Sequence, residues 1–293
     1  MWKDSYLVGV ELIDDQHKEL FRRIDKLLKV IEKEDYDKNK VECMDAFKFL
    51  QDYTVEHFGA EEAYQESIGY AHIDEHKKLH KGFIDSINDY ENKLNETDFD
   101  LGIVKSFAGM LTAWLINHVA DIDQQIPKGK AVLDTSVNEE QFIDNLSSST
   151  MKALEKVVGV KDGVVSKLTQ SEVNDDDIVI TVETEGDEAS TIEFVFPKES
   201  ALNLLQSMTM SNHVDVDEFV CSALSEVVNI ISKKSISMTP SLGTNAYARP
   251  AQITKFKTDA SGSNAYNRAV RKAKESFKLQ TNLGELGVNV YRK

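Results

Sequence analysis

The sequence predicts a multidomain chain: an all-α up-down four-helix bundle followed by an α/β domain. Three observations carry that expectation. Residues 1–133 hold four amphipathic stretches with apolar side chains at helical spacing, joined by short polar loops. From about residue 138, helical stretches interleave with β-branched runs that alternate apolar and polar residues. Between the two, Pro127, Gly129 and small polar residues mark a change of composition, which places a linker at 134–140 and the second domain at 141–293.

The first helix is expected from about Gln16 to Glu34, with Leu20, Phe21, Ile24, Leu27, Leu28 and Ile31 on one stripe. The second covers about Asn39 to Tyr64, where Phe47, Leu50, Tyr53 and His57 share a face. The third runs from about Ile73 to Leu94 and the fourth from about Leu101 to Val119. Loops as short as "EDYDKN" and "NETDFD" make successive helices antiparallel neighbours. In the second domain, "EEQFIDNLSSSTMKALEKVVGV" reads as a helix, and "VVSKLTQ", "DIVITVETEG" and "STIEFVFP" as strands. A short helix, "KESALNLLQSMTM", follows Pro197. A long one, "DVDEFVCSALSEVVNIISKKS", is acidic in its first turn and basic in its last, as the helix dipole favours. "SFKLQTNLGELGVNVY" reads as a hairpin turning at 282–285, whereas "SGSNAYNRAVRKAKES" is compatible with a helix or an irregular insertion.

A net charge of −16 argues against general nucleic-acid binding. The charge is uneven, −10 over 1–133, −15 over 134–232 and +9 over 233–293; the basic end is expected to neutralise the acidic middle segment within one domain, the other reading being a docking surface for an acidic partner. The apolar window 101–120 carries Lys105 and His118 and reads as a buried helix, not a membrane span. No secretory leader pattern is visible at the start. Cys43 and Cys221 are far apart with no CxxC, as expected of reduced thiols in a cytoplasmic protein.

The chain has seven histidines. His57 and Glu61 lie four apart on the second helix, and His76 and His80 four apart on the third, so each pair shares a helix face. His17 opens the first helix, and His118 with Asp123 ends the fourth. Five imidazoles and two carboxylates thereby converge from four helices, a donor set for iron, copper or zinc in which a carboxylate can bridge two ions. His118 and Asp123 would stand about 140° apart on a regular helix. If both bind, the helix must end or unwind between them. His72 falls outside the set and belongs at the surface. Trp114 is expected to fill the core, and Phe58 and Leu115 to wall a dry pocket.

The segments "GVELIDDQHKELF", "HFGAEE", "HIDEHKKLH" and "WLINHVADID" resemble the bacterial hemerythrin domain, bacteriohemerythrin, over about residues 1–130. The resemblance implies a cofactor of two iron ions joined by an oxo or hydroxo bridge. His76, His80 and His118 would bind one iron, His17 and His57 the second, and Glu61 and Asp123 would bridge them. An open position on the second iron would take dioxygen. Tyr64 departs from the family, where a Met after "HFxxEE" is commoner.

The order of elements after residue 140 is similar to the chemotaxis phosphatases of the CheX/CheC/FliY family. Their signature, Asp/Ser-x3-Glu-x2-Asn with a later Pro, reads here as Ser222, Glu226, Asn229 and Pro250. The resemblance implies that Glu226 pairs with a lysine of a phosphorylated CheY-like response regulator, while the Asn229 amide orients the attacking water. Mg²⁺ would come from that partner only, leaving positioning and electrostatics to this chain. "ALEKVVG" at 153–159 echoes "ALSEVVN" at 223–229, with Lys156 and Gly159 where Glu226 and Asn229 stand, so at most one such site exists per chain. Ser232, Lys233 and Ser211-Asn212 stand where the family often has glycine.

Together these features imply a cytoplasmic oxygen or redox sensor whose second domain, if it turns over, hydrolyses an aspartyl-phosphate. A homodimer through that domain is compatible with the resemblance; nucleic acid and membrane are not expected partners. The other reading is an oxygen carrier or scavenger with a catalytically silent docking or dimerisation module. An iron-dependent oxidase would need an acid or base beside the metals, and the sequence offers no obvious one.

Overall fold

The computed structural model describes residues 1–32, 36–128, 142–168, 172–186, 189–239, 246–255 and 273–292. The chain divides into two compact units, Met1–Leu133 and Asp134–Lys293. The expected linker at 134–140 and most of the stretch 261–276 lie outside the described residues.

In the first unit, helices α1 (Glu11–Ile31), α2 (Tyr36–Ser67), α3 (Ile73–Glu96) and α4 (Leu101–Asn117) pack in sequence order, and α4 closes back onto α1. Helix α1 buries Leu20, Phe21, Ile24, Leu27, Leu28 and Ile31, the stripe expected of it. It begins five residues earlier than its apolar periodicity suggests. The reason is Asp14, a buried carboxylate that accepts the N–H groups of Val8 (2.7 Å) and Gly9 (3.0 Å) and ties the N-terminal arm across the helix start. Acidic residues in that first turn also suit the helix dipole. The arm is fixed further by Trp2 and Tyr6, both in ring contact with Phe21. Helix α4 is capped by Asp100, whose carboxylate accepts from the Gly102 and Ile103 N–H groups. The segment Leu101–Pro127 is long and apolar enough for a membrane span, yet most of it is packed inside the unit.

The end of α4 is irregular where the sequence demanded it. His118–Ile122 forms one π-helical turn, and Asp123–Lys128 continues as a 3-10 helix containing Pro127. A single π turn inserts a residue into a helix and re-aims the side chains beyond it.

The second unit is built on an antiparallel sheet of β1 (Gly163–Leu168), β2 (Ile178–Glu185), β3 (Ser190–Phe196), β4 (Tyr247–Ala248), β5 (Gln252–Lys255), β6 (Glu275–Thr281) and β7 (Gly284–Arg292). The order runs β1-β6-β7-β3-β2-β4, and β5 also pairs with β2. Helices α5 (Phe142–Ala153), α6 (Lys198–Thr209) and α7 (Glu218–Ser237) accompany it: α5 packs on α7 and β6, α6 on β7, and α7 on β2. The β6–β7 hairpin turns at Asn282–Leu283, inside the expected turn, and Gly284 takes a φ of +125° against Ser200. Strands β4 and β5, in a stretch with no clear period, were not anticipated. The repeat copy at 153–159 closes in a π turn, Leu154–Val158, ended by left-handed Gly159, whereas the copy at 223–229 runs on as regular helix α7.

Candidate metal centre and the Glu226–Asn229 pair

All seven predicted ligand-type side chains of the first unit come together, each with at most 2% of its surface exposed. Two donor clusters form. Glu61, His76, His80 and His118 offer ligand atoms within 4.8 Å of one another, and so do His17, His57 and Glu61. Glu61 belongs to both. Its Oε1 lies 2.9 Å from His76 Nε2, and its Oε2 lies 3.6 Å from the Nε2 atoms of both His57 and His80. Asp123 also spans the two sets, with Oδ2 3.3 Å from His17 Nε2 and Oδ1 3.1 Å from His118 Nε2. The Nε2 atoms of His76, His80 and His118 follow one another at 3.0 Å steps.

The chemistry of this donor set calls for cations. Burial lowers His17 to about 4 and His57 to about 3, and it also holds His118 well below the usual range, so these imidazoles are neutral with a lone pair to give. Burial pushes the Glu61 carboxyl up, but the surrounding imidazoles, His76 nearest at 2.9 Å, outweigh it and hold it low. Burial and the Glu61 charge drive Asp123 the other way, well above the ordinary value. Two buried carboxylates this close resist joint ionisation without positive charge between them. Both ring nitrogens of His17, His57 Nε2, Glu61 Oε2 and both Asp123 oxygens are buried with no hydrogen-bond partner. Six such orphans in one place fit a metal site, not a satisfied polar core.

A second ring, missed in the sequence, orients the first. Glu62 Oε1 lies 2.8 Å from His80 Nδ1. An ionised carboxylate only accepts, so the proton sits on Nδ1 and His80 Nε2 is left bare toward the site. Gln16 Oε1 holds His57 Nδ1 at 3.1 Å in the same way. Gln65, fully buried, donates from Nε2 to Glu61 Oε1 at 2.8 Å. Each of the three neighbours a ligand by one residue or one helical turn, which was the available signal. Tyr64, where the sequence departs from the hemerythrin pattern, is only half-buried. Phe58 stacks on His80 at 3.6 Å, and Trp114, half-buried, stacks on both Phe83 (3.7 Å) and His118 (4.3 Å). Leu115 is buried, while His72 caps α3 in a partly exposed position outside the cluster.

In the second unit, Ser222, Glu226 and Asn229 fall on α7, all half-buried. Asn229 Nδ2 donates to Glu226 Oε2 at 3.0 Å, and Asn229 Oδ1 accepts from the Ala251 N–H at 2.7 Å. The residue after Pro250 is thus fastened to Asn229, and the amide can point only one way. Burial raises the Glu226 carboxyl, partly offset by the Asn229 bond and the Lys233 charge. Ser232 is fully buried with an unpartnered hydroxyl. In the degenerate copy, Lys156 is exposed.

A family model described as the hemerythrin HHE cation binding domain matches residues 8–126. The bacteriohemerythrin of Pseudomonas paraeruginosa is 31% identical over 123 residues, 42% of this chain and 76% of that protein. The chain belongs to the hemerythrin family. The bacteriohemerythrin of Clostridium acetobutylicum is 29% identical over 126 residues, 43% of this chain and 96% of its own length. The hemerythrin unit carries every cluster residue described above except those of α7, and its donors are able to hold metal. Among solved structures, the chemotaxis protein CheX from Vibrio vulnificus is 12% identical with a TM-score of 0.42, covering 52% of this chain and 99% of its own. A chain of the CheX-CheY-BeF3-Mg complex from Borrelia burgdorferi is 16% identical with a TM-score of 0.42, covering 52% of this chain and 98% of its own.

Proposed function

We propose that the hemerythrin unit is a di-iron oxygen-binding domain and that the second unit acts on a phosphorylated CheY-like response regulator, so that the chain is a cytoplasmic oxygen or redox sensor for chemotaxis. The observation that carries the first half is the shared pair of carboxylates. His76, His80 and His118 would hold one iron and His17 and His57 the other, with Glu61 and Asp123 reaching across both sets. A bound iron pair would supply the electrons for reversible dioxygen binding. The protein's part is to present neutral imidazoles, fix their tautomers through Gln16 and Glu62, and keep water away with Phe58 and its aromatic neighbours.

For the second half, support comes from the α7 motif and its geometry. The Glu226–Asn229 bond and the Ala251 N–H preset the amide of Asn229, which would orient a water toward the partner's aspartyl-phosphate, and Glu226 would meet a partner lysine. Strand β1 supports a homodimer through this unit: among the described residues it pairs only with β6, and it exposes Val164, Val165 and Leu168. The test is dephosphorylation of a phosphorylated response regulator by the full chain with its iron oxidised and reduced. Different rates support a sensor; equal rates remove that claim.

One observation favours the second reading, an oxygen carrier or scavenger with a silent second unit. Both ends of the Asn229 amide are already engaged within the chain. Absence of any phosphatase activity in the parent protein, in either redox state, selects that reading.

A further inference from the structure

We infer that Gln65 is a positioning residue of the metal centre, a neutral buried donor that holds one oxygen of the shared carboxylate Glu61 and tempers its charge. The inference rests on the di-iron reading above and adds to it a residue outside the ligand set. Gln65 has no exposed surface. Its Nε2 lies 2.8 Å from Glu61 Oε1, one helical turn earlier on α2. Because a carboxylate accepts and never donates when ionised, the amide nitrogen must face Glu61, which sends Oε1 the other way. That Oε1 is buried without a partner. A packing role alone does not explain a buried amide with one orphaned end, since an apolar side chain would fill the place at less cost.

The backbone is pinned as well. Helix α2 ends two residues later, and the Gln65 carbonyl accepts the Tyr70 N–H at 2.9 Å as the chain turns through left-handed Gly69. Side chain and main chain of Gln65 are therefore both committed, and the Glu61 carboxylate is held from a rigid point. The bond falls on one oxygen only. Oε1 carries the Gln65 contact and lies nearest His76, whereas Oε2 has no hydrogen-bond partner and faces His57 and His80. The two arms of the shared carboxylate are thus made chemically unequal. An amide suits this position by charge: a glutamate would add a third anion beside Glu61 and Asp123, and a methionine or leucine would give no donor.

With a donor drawing charge from Glu61, the carboxylate stabilises the ferric state less, and the iron pair is easier to reduce. The test uses the full chain loaded anaerobically with iron(II), comparing the parent with Gln65→Met and Gln65→Leu. Both variants are expected to fold and to keep iron, with oxidised-state absorption bands displaced from the parent's and a lower midpoint potential. The displacement should move the oxidised-to-reduced ratio at fixed poise by about tenfold, the worth of one hydrogen bond to a charged acceptor. A variant that folds but no longer loads iron also supports the role, since Glu61 is then unplaced. Parent-like bands and potential in both variants overturn it, as does failure of both to fold, which would make Gln65 structural only. The iron content of the parent tests the di-iron reading separately; only the difference between variant and parent tests Gln65.

Discussion

His118 and Asp123 stand five residues apart, yet His118 Nε2 lies 3.1 Å from Asp123 Oδ1. A regular helix would hold them far apart in azimuth, and the π turn at His118–Ile122 removes the discrepancy. The local backbone is shaped so that a carboxylate from the end of the fourth helix reaches both donor sets.

Function here opposes stability. Both Asp123 oxygens are buried with no donor, which costs the metal-free protein free energy. Asp123→Asn is expected to raise the thermal stability of the metal-free chain by about 1–3 kcal/mol while reducing its iron content. Paired calorimetry and iron assay check it. A metal-free variant less stable than the parent would mean that the carboxylate is satisfied.

The His57/Glu61 pair on α2 and the His76/His80 pair on α3 were legible because four-residue spacing on a helix fixes a shared face whatever the surroundings. The irregular end of α4 was legible for the same reason, as an angular conflict between His118 and Asp123. Gln16, Glu62 and Gln65 were not. A polar residue next to a ligand looks like any solvated helix position until tertiary packing buries it, and nothing local distinguishes fully buried Gln65 from exposed Glu66. The second unit divides similarly. Strands β2 and β3 announce themselves by β-branched alternation, whereas β4 and β5 are short, contain or flank Arg249 and Pro250, and are positioned by partners distant in sequence, Glu185 and Asn229.

Replacing Asn229 by alanine separates the two readings of the second unit. It removes the acceptor for the Ala251 N–H and the donor to Glu226, at about 1 kcal/mol of stability. If the unit is a phosphatase, turnover of the phosphorylated partner falls by about 100-fold or more, because positioning is most of the catalysis. An unchanged rate would put the activity elsewhere.

Burial pushes the Cys221 thiol up to about 12, from an ordinary value of 9.0. The folded thiol therefore stays protonated where the unfolded one ionises, so its contribution to stability is present below pH 9 and is lost as pH rises toward 12. At pH 8 a thiolate-specific reagent should leave Cys221 unmodified in the native chain and label it on denaturation. Rapid native labelling would contradict the packing of α7.

Gly284 takes a φ of +125° with its α-carbon facing Ser200, whose hydroxyl accepts the Glu285 N–H at 2.9 Å. Gly284→Ala is expected to destabilise the second unit by roughly 1–3 kcal/mol through backbone strain and collision with Ser200. Thermal unfolding of the full chain, followed by sheet and helix signals separately, should show the loss in the sheet transition.

The central claim is that the buried donors of the hemerythrin unit form one two-iron site. The most direct measurement is iron stoichiometry with the absorption spectrum of the purified full chain, oxidised, reduced and re-exposed to oxygen. The expected result is about two irons per chain, with oxo-bridged charge-transfer bands that bleach on reduction and return or change form with oxygen. A chain that binds one iron or none after anaerobic loading, or whose spectrum is indifferent to reduction and oxygen, would contradict the account.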